Sequence, residues 1–217
     1  MKNVKYIVFD MDGTLLDSLT DLRNSLNYCF EKVGFPQRTF EEVRSFVGNG
    51  IRKLIERAVP QGTSDKKIDE IFAMFKEHYM VHCADYTAPY NDILKMLDAL
   101  KESGYKMAIV SNKADDAVKV LNEQFFGNYI DVAVGEMAGK KKKPAPDLVW
   151  LAMEQLGATQ EDTVYVGDSE VDYETAVNSK LKCISVLWGF RDREFLEECG
   201  ASCFAREPMD VLELLKG

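Results

Sequence analysis

The sequence predicts an α/β protein: a doubly wound, Rossmann-like parallel sheet core interrupted by an all-helical insertion. Three observations predict it. Short apolar, β-branched runs recur at 4–9, 106–110, 132–134, 163–166 and 183–187, as expected of strands buried on both faces. Beyond residue 89 these runs alternate with helical patterns, which is the texture of a parallel sheet and not of hairpins. Between 17 and 84 there is only helical periodicity. The predicted division is 1–16 plus 86–217 for the α/β core and 17–85 for the helical insertion.

Each element has a local reason. Residues 4–9 (VKYIVF) run into the acidic, glycine-containing stretch Asp10-Met11-Asp12-Gly13-Thr14, so a buried strand ends in a turn. In the insertion, Leu19, Leu22, Leu26 and Phe30 recur at three- and four-residue spacing, the mark of one helix face. Val43, Phe46 and Val47 follow, then Ile51, Leu54, Ile55 and Ala58, then Ile68, Ile71, Phe72, Phe75 and Tyr79. Gly34-Phe35-Pro36, Gly48-Asn49-Gly50 and Pro60-Gln61-Gly62 punctuate them. Past Pro89 a helix over 91–103 stops at Gly104 before the strand 106–110. A helix over 114–125 then leads to the strand 132–134. A helix over 147–156 precedes the strand 163–166, and a helix over 170–178 precedes the strand 183–187.

Composition narrows the function classes. The chain has 217 residues and a net charge of −9, so neither nucleic acid nor an anionic membrane is an expected partner, since both are captured by basic faces. The apolar run near the start is shorter than the ~7–15 residues of a signal peptide, and no window approaches the ~20 apolar residues of a membrane span. Five cysteines, an odd number without a CxxC pair, favour reduced thiols over a disulfide framework. A cytoplasmic protein, monomeric or homodimeric, is expected.

Ligands of open α/β sheets gather at the carboxyl ends of the strands, and four clusters fall there. Asp10 and Asp12 stand two apart at the first strand's end, so both carboxylates can face one way, one as nucleophile and the other as general acid and base. Gly13 lets the backbone turn and, with Thr14, offers amide groups to an anion. Ser111-Asn112 follows the strand 106–110 and supplies a hydroxyl and an amide suited to phosphate oxygens. Lys143-Pro144-Ala145-Pro146 holds one cation between stiff residues, whereas Lys140, Lys141 and Lys142 read as a solvated run. Asp168 and Asp172 lie four apart at the start of a helix, on one side of it, as hard oxygen ligands suited to Mg²⁺. Each cluster has an ordinary structural reading (turn, cap or solvated face), and it is their combination that carries weight.

Together, DMDGT, the serine after the second core strand, KPxP and GDxxxD resemble the haloacid dehalogenase superfamily of phosphotransferases, over essentially the whole chain. The resemblance implies a Mg²⁺-dependent phosphatase acting on a small phosphorylated substrate. Asp10 would form an aspartyl-phosphate and Asp12 would be the acid/base, while Ser111 and Lys143 would bind the phosphoryl group. Mg²⁺ would sit on the Asp10 carboxylate, the Asp12 main-chain oxygen and Asp168, with Asp172 mainly behind them. The helical insertion looks like the family's cap. Its Val47-Gly48-Asn49-Gly50 stretch and Val186-Leu187-Trp188-Gly189-Phe190-Arg191 resemble segments of phosphoglycolate phosphatases, which implies 2-phosphoglycolate as substrate, with Gly50 and Arg52 among the substrate-binding residues and Arg52 or Lys53 pairing with its carboxylate. Sugar phosphates, pyrophosphate and a hexose-phosphate mutase reaction are the alternatives. A phosphoreceiver domain fits poorly, because such domains resemble a shorter chain with its acceptor after the third strand.

Two features stand apart. Relatives usually read Ala-Gly-Met where this chain has Ser179-Lys180-Leu181, and the missing glycine predicts a looser end for the preceding helix. His78, His82 and Cys83 have metal-ligand spacing, yet a zinc site needs further ligands and an outer shell; an exposed helix face is the expectation.

Overall fold

The computed structural model describes Met1 and residues 3–217. It divides into two compact units, one of Met1–Leu16 with Pro89–Gly217 and the other of Asp17–Ala88.

The first unit is built on a six-stranded sheet, entirely parallel, of β1 (Tyr6–Phe9), β4 (Lys106–Ala114), β5 (Val132–Glu136), β6 (Thr163–Gly167), β7 (Lys182–Val186) and β8 (Phe204–Ala205). Their spatial order is β5-β4-β1-β6-β7-β8. β1 therefore lies inside the sheet, with the chain winding outward through β4 and β5 on one side and through β6, β7 and β8 on the other. That reversal is the crevice where open sheets bind ligands. Ile7, Val8 and Phe9 are fully buried, which explains why this strand reads as a continuous apolar run and not as an alternation.

The connections are α5 (Ile93–Glu102), α6 (Asp115–Phe126), α7 (Asp147–Leu156), α8 (Glu170–Asn178), α9 (Arg193–Glu198) and α10 (Pro208–Lys216). Leu148, Val149, Ala152, Met153 and Leu156 line one side of α7 and close over Val8, Ala108, Val110 and Tyr165 of the sheet. Helix α8 ends differently from the sequence expectation. Lys180 adopts the left-handed conformation (φ 59°) usually left to glycine, and the Leu181 N–H donates to the Ala176 carbonyl at 2.8 Å. The turn is as tight as a glycine would make it, because the buried Leu181 side chain and the closing hydrogen bond offset the ~1–2 kcal/mol cost of that conformation.

The second unit consists of four helices: α1 (Leu19–Val33), α2 (Phe40–Phe46), α3 (Ile51–Ala58) and α4 (Asp65–His82). Gly34 ends α1 in the left-handed conformation, and Thr39 with Glu42 forms a capping box on α2. Leu26, Phe30, Val43, Ile55, Ile71 and Phe75 are all fully buried in its core. Asp21, also buried, accepts hydrogen bonds from the Tyr86 and Thr87 N–H groups and from the Thr87 hydroxyl at 2.8–3.1 Å. It thereby ties the first turn of α1 to the segment leaving α4. The chain passes between the units through two short strands, β2 (Leu16–Asp17) and β3 (Ala88–Pro89), which pair with each other. Among the described residues no helix is long and apolar enough to cross a membrane.

Candidate active site

The carboxyl ends of β1, β4 and β6 bring the predicted core residues together. Asp10 closes β1, its N–H held by the Val166 carbonyl at 2.9 Å. The chain then folds back on itself, with the Leu15 and Leu16 N–H groups donating to the Met11 carbonyl at 3.0 and 2.9 Å. Gly13 sits in this turn at φ 90°, and a Cβ there would run into the Asp168 carboxylate and the Phe190 ring. Only glycine permits both the conformation and the approach. Thr14 is fully buried; its hydroxyl donates to Asp168 Oδ1 at 3.2 Å, and its carbonyl accepts the Trp188 indole N–H at 2.9 Å.

Strand β4 is longer than predicted. It continues past Val110 to Ala114, with an irregular register against β5 between those residues. Ser111-Asn112-Lys113 therefore lies within the strand, as an irregular stretch between the paired residues Val110 and Ala114 that the polar sequence does not announce. Asn112 turns to the loop carrying Lys143, where its amide accepts from the Lys143 N–H at 2.8 Å and donates to the Lys143 carbonyl at 3.1 Å. Expected as a substrate ligand, it is spent on bracing the lysine backbone. Ser111 is buried and accepts the Lys113 N–H at 3.2 Å, leaving its own proton to donate. The buried Lys113 pairs with Asp12 Oδ2 at 3.2 Å.

Lys143 is the hub. Lys140 and Lys141 are exposed, but the Lys143 side chain is 2% exposed, with Nζ 2.7 Å from Asp10 Oδ1 and 2.8 Å from Asp172 Oδ1. It also donates to the Tyr165 hydroxyl at 3.1 Å, which in turn donates to Asp172 Oδ1 at 3.1 Å. The Lys143–Pro144 peptide bond is cis. Burial would strip the proton from this ammonium, but the charges of Asp10 and Asp172 outweigh it and hold its pKa well above the usual lysine range.

Asp168 and Asp172 converge as expected, though not by sharing a helix face. Helix α8 begins at Glu170, so Asp168 stands before it, and Ser169 is the cap. Asp172 folds back as the third residue of a capping box, its Oδ2 accepting the Ser169 hydroxyl at 2.6 Å and N–H at 3.1 Å. Asp168 Oδ2 accepts the Phe190 N–H at 2.7 Å. Burial, then the charge of Asp172, pushes the Asp168 carboxyl up to about 7. Asp10 is also raised well above the carboxylate range, by burial first and then Asp172, against the pull of Lys143.

These three carboxylates are buried, with one oxygen of each within 4.8 Å of the others. Asp172 has its partners in Lys143, Tyr165 and Ser169, whereas the proton affinity of Asp10 and Asp168 is raised by burial first and by the charge of Asp172 second. A buried pair of hard oxygen donors short of positive charge suits a divalent cation such as Mg²⁺. The residues present thus fit the ion expected from the sequence.

Gly50 and Arg52 belong to the helical unit. Gly50 precedes α3 at φ 86°. Arg52 is partly exposed and paired with Glu56 and Asp69. His78 and His82 stack at 4.3 Å and use their Nδ1 atoms on Ser25 and Asp85. Lys113 and Tyr165 are the site's contributors that the motifs did not reveal, while Trp188 lies in the 186–191 segment singled out from the sequence. For Lys113 a signal existed: it lies two residues beyond Ser111, at the same carboxyl end of the strand.

Comparison with known proteins agrees with this geometry. A family model described as haloacid dehalogenase-like hydrolase matches residues 7–186. A phosphoglycolate phosphatase of Aquifex aeolicus is 34% identical over 188 residues, covering 86% of each chain. One of Chromobacterium violaceum is 29% identical over 221 residues, covering 100% of this chain and 98% of its own. A crystal structure from Lactobacillus delbrueckii subsp. bulgaricus, of a protein named a phosphoglycolate phosphatase by inference, is 35% identical; it superposes with a TM-score of 0.94 over 99% of each chain.

Proposed function

Since the chain belongs to the haloacid dehalogenase-like hydrolases and is a phosphatase of that family, we propose that it hydrolyses 2-phosphoglycolate to glycolate and phosphate through an aspartyl-phosphate on Asp10. The observation that carries the proposal is Lys143, buried between Asp10 and Asp172 beside the Asp168 carboxylate. A phosphoryl group needs positioning and charge neutralisation more than covalent assistance, and this arrangement supports both.

In the proposed reaction a carboxylate oxygen of Asp10 attacks phosphorus. The bond from phosphorus to the ester oxygen breaks, and Asp12 gives that oxygen a proton, releasing glycolate. Water then attacks the same phosphorus while Asp12 takes its proton, the bond to Asp10 breaks, and phosphate leaves. Ser111 donates its hydroxyl proton to a phosphoryl oxygen, as Lys143 does from its ammonium. Asp10, the Asp12 main-chain oxygen and Asp168 would hold Mg²⁺, with Asp172 behind them, and the ion would supply positive charge against the phosphoryl oxygens. Gly13 and Thr14, expected to offer their amides to an anion, shape the turn instead, since their N–H groups donate to the Leu16 and Met11 carbonyls at 2.9 and 3.3 Å, and Asn112 serves by fixing Lys143.

The helical unit, 17–85 in our reading, acts as a cap that excludes water and selects the leaving group. Gly50 and Arg52 are assigned to the substrate carboxylate. Arg52 has to give up part of its pairing with Glu56 and Asp69 to do so. The names of the relatives support 2-phosphoglycolate.

The test is phosphate release from 2-phosphoglycolate, pyrophosphate and several hexose phosphates, with and without Mg²⁺, with Asp10→Asn alongside. Mg²⁺-dependent release that favours 2-phosphoglycolate and vanishes in the variant is expected. Preference for another phosphate ester would replace the substrate and keep the chemistry, while isomerised hexose phosphate without release would indicate a mutase.

A further inference from the structure

We propose that Lys113 is a positioning residue for Asp12: it anchors one carboxylate oxygen and so dedicates the other to proton transfer. This inference rests on the reading of Asp12 as general acid and base.

Three observations carry it. The Lys113 side chain is 3% exposed and its Nζ lies 3.2 Å from Asp12 Oδ2, so a charged group has been taken out of water to meet this carboxylate. Burying an ammonium is costly without a paired anion, and a lysine at this point of β4 needs a reason beyond packing. The second observation is Asp12 Oδ1, which is buried and has no hydrogen-bond partner. Buried polar atoms are rarely left in this state, and here the unpartnered atom belongs to the one site carboxylate that must exchange a proton with substrate and water. Thirdly, the two oxygens differ in environment because of Lys113: Oδ2 is tethered and Oδ1 is left without a partner. An untethered Asp12 side chain would rotate about its terminal bond, whose preferences are broad, and would exchange the two oxygens.

The strand explains how the lysine arrives there. Strand β4 continues to Ala114 through a stretch where its register against β5 shifts; there the Lys113 N–H donates to the Ser111 hydroxyl at 3.2 Å, while the Asn112 amide reaches the Lys143 backbone. Three consecutive residues thus divide the work. Ser111 offers a hydroxyl, Asn112 braces Lys143 and Lys113 holds Asp12. Lys143 and Lys113 address different acids of the pair, Asp10 and Asp12 respectively.

The experiment compares wild type with Lys113→Met, which keeps the apolar stem and removes the charge, and Lys113→Arg, which keeps the charge. Two substrates are used with Mg²⁺ present: 2-phosphoglycolate, whose alkoxide must be protonated to leave, and p-nitrophenyl phosphate, whose leaving group departs unprotonated. General acid catalysis is worth about 10²–10⁴-fold. Lys113→Met is expected to lower kcat on 2-phosphoglycolate by about 10²-fold, with KM within roughly 2-fold, and to lower kcat on p-nitrophenyl phosphate less. Because Asp12 also activates the water, p-nitrophenyl phosphate should now give a burst of nitrophenolate stoichiometric with enzyme. Lys113→Arg should recover part of the loss. Introduced into Asp12→Asn, Lys113→Met should add no further loss.

An equal kcat loss on both substrates without the nitrophenolate burst, a rise in KM at constant kcat, or additive losses in the double variant would each overturn the inference, as would no effect at all. If Lys113→Met does not fold by circular dichroism, Lys113→Gln replaces it with the same expectations. Asp10→Asn separates the two levels. If it retains wild-type activity, the underlying mechanism fails. If it is inactive while Lys113→Met is normal, only the role of Lys113 falls.

Discussion

Replacing Lys143 with methionine removes a buried cation and leaves its stem volume nearly intact, so the loss is electrostatic. Nζ lies 2.7 Å from Asp10 and 2.8 Å from Asp172, and without it three buried carboxylates share the site with no cation among them. Breaking a buried ion pair by removing one partner costs about 3–5 kcal/mol. At roughly 2–4 °C per kcal/mol for a chain of this size, Tm of the metal-free protein should fall by roughly 6–20 °C. The loss should also depend on pH. A carboxyl whose pKa is raised on folding binds more protons folded than unfolded, so its contribution worsens as pH rises through that interval. Asp10 is already raised in the wild type, and loss of Lys143 raises it further. The deficit of Lys143→Met should therefore be smallest near pH 4, where the raised Asp10 carboxyl is protonated in the folded protein and about half protonated in the unfolded one, and grow toward pH 8. Both tryptophans, Trp150 and Trp188, lie in the α/β unit, so fluorescence-detected urea unfolding in EDTA reports on the right part of the molecule. A deficit under 1 kcal/mol, or one equal at pH 4 and pH 8, would refute the reasoning.

Other perturbations test separate parts. Asp21→Ala strands the Tyr86 and Thr87 N–H groups and the Thr87 hydroxyl, and should cost about 3 kcal/mol or more in the helical unit; a urea midpoint by circular dichroism that hardly moves would show the tie to be idle. Gly13→Ala places a Cβ against the Asp168 carboxylate at a left-handed φ, so Mg²⁺-dependent kcat should drop by more than about 10²-fold, even if Tm falls only modestly. Asp168, raised to about 7, makes the metal-free enzyme lose stability as pH climbs from about 4 to about 7. Mg²⁺ should accordingly raise Tm more at pH 8 than at pH 5 in scanning calorimetry.

Much of this molecule is legible locally. The helices Asp147–Leu156 and Glu170–Asn178 fall where the apolar spacing puts them, with Gly157 in the left-handed conformation ending the first. The strand Tyr6–Phe9 is a run too apolar and too short for anything but a buried strand. The other end of the scale is β4. Ser111, Asn112 and Lys113 have neither the apolarity nor the β-branching of a strand, and they lie in one as an irregular stretch between the β5-paired residues Val110 and Ala114. Lys180 is similar: nothing in its side chain favours a left-handed turn, and the burial of Leu181 imposes it.

What the sequence determined alone is the identity of the reactive groups, because motif chemistry resides in residue type and short spacing: two acids after the first strand, a serine, one fixed lysine and two further acids. The tertiary structure decided how those groups are partnered. Lys143 between Asp10 and Asp172, Asn112 on the Lys143 backbone, Tyr165 on Lys143 and Lys113 on Asp12 are contacts between positions far apart in the chain, joining strands, loops and a helix. Their distances follow from strand order and register, which are set by the burial of the whole sheet, and no local pattern of residues encodes them.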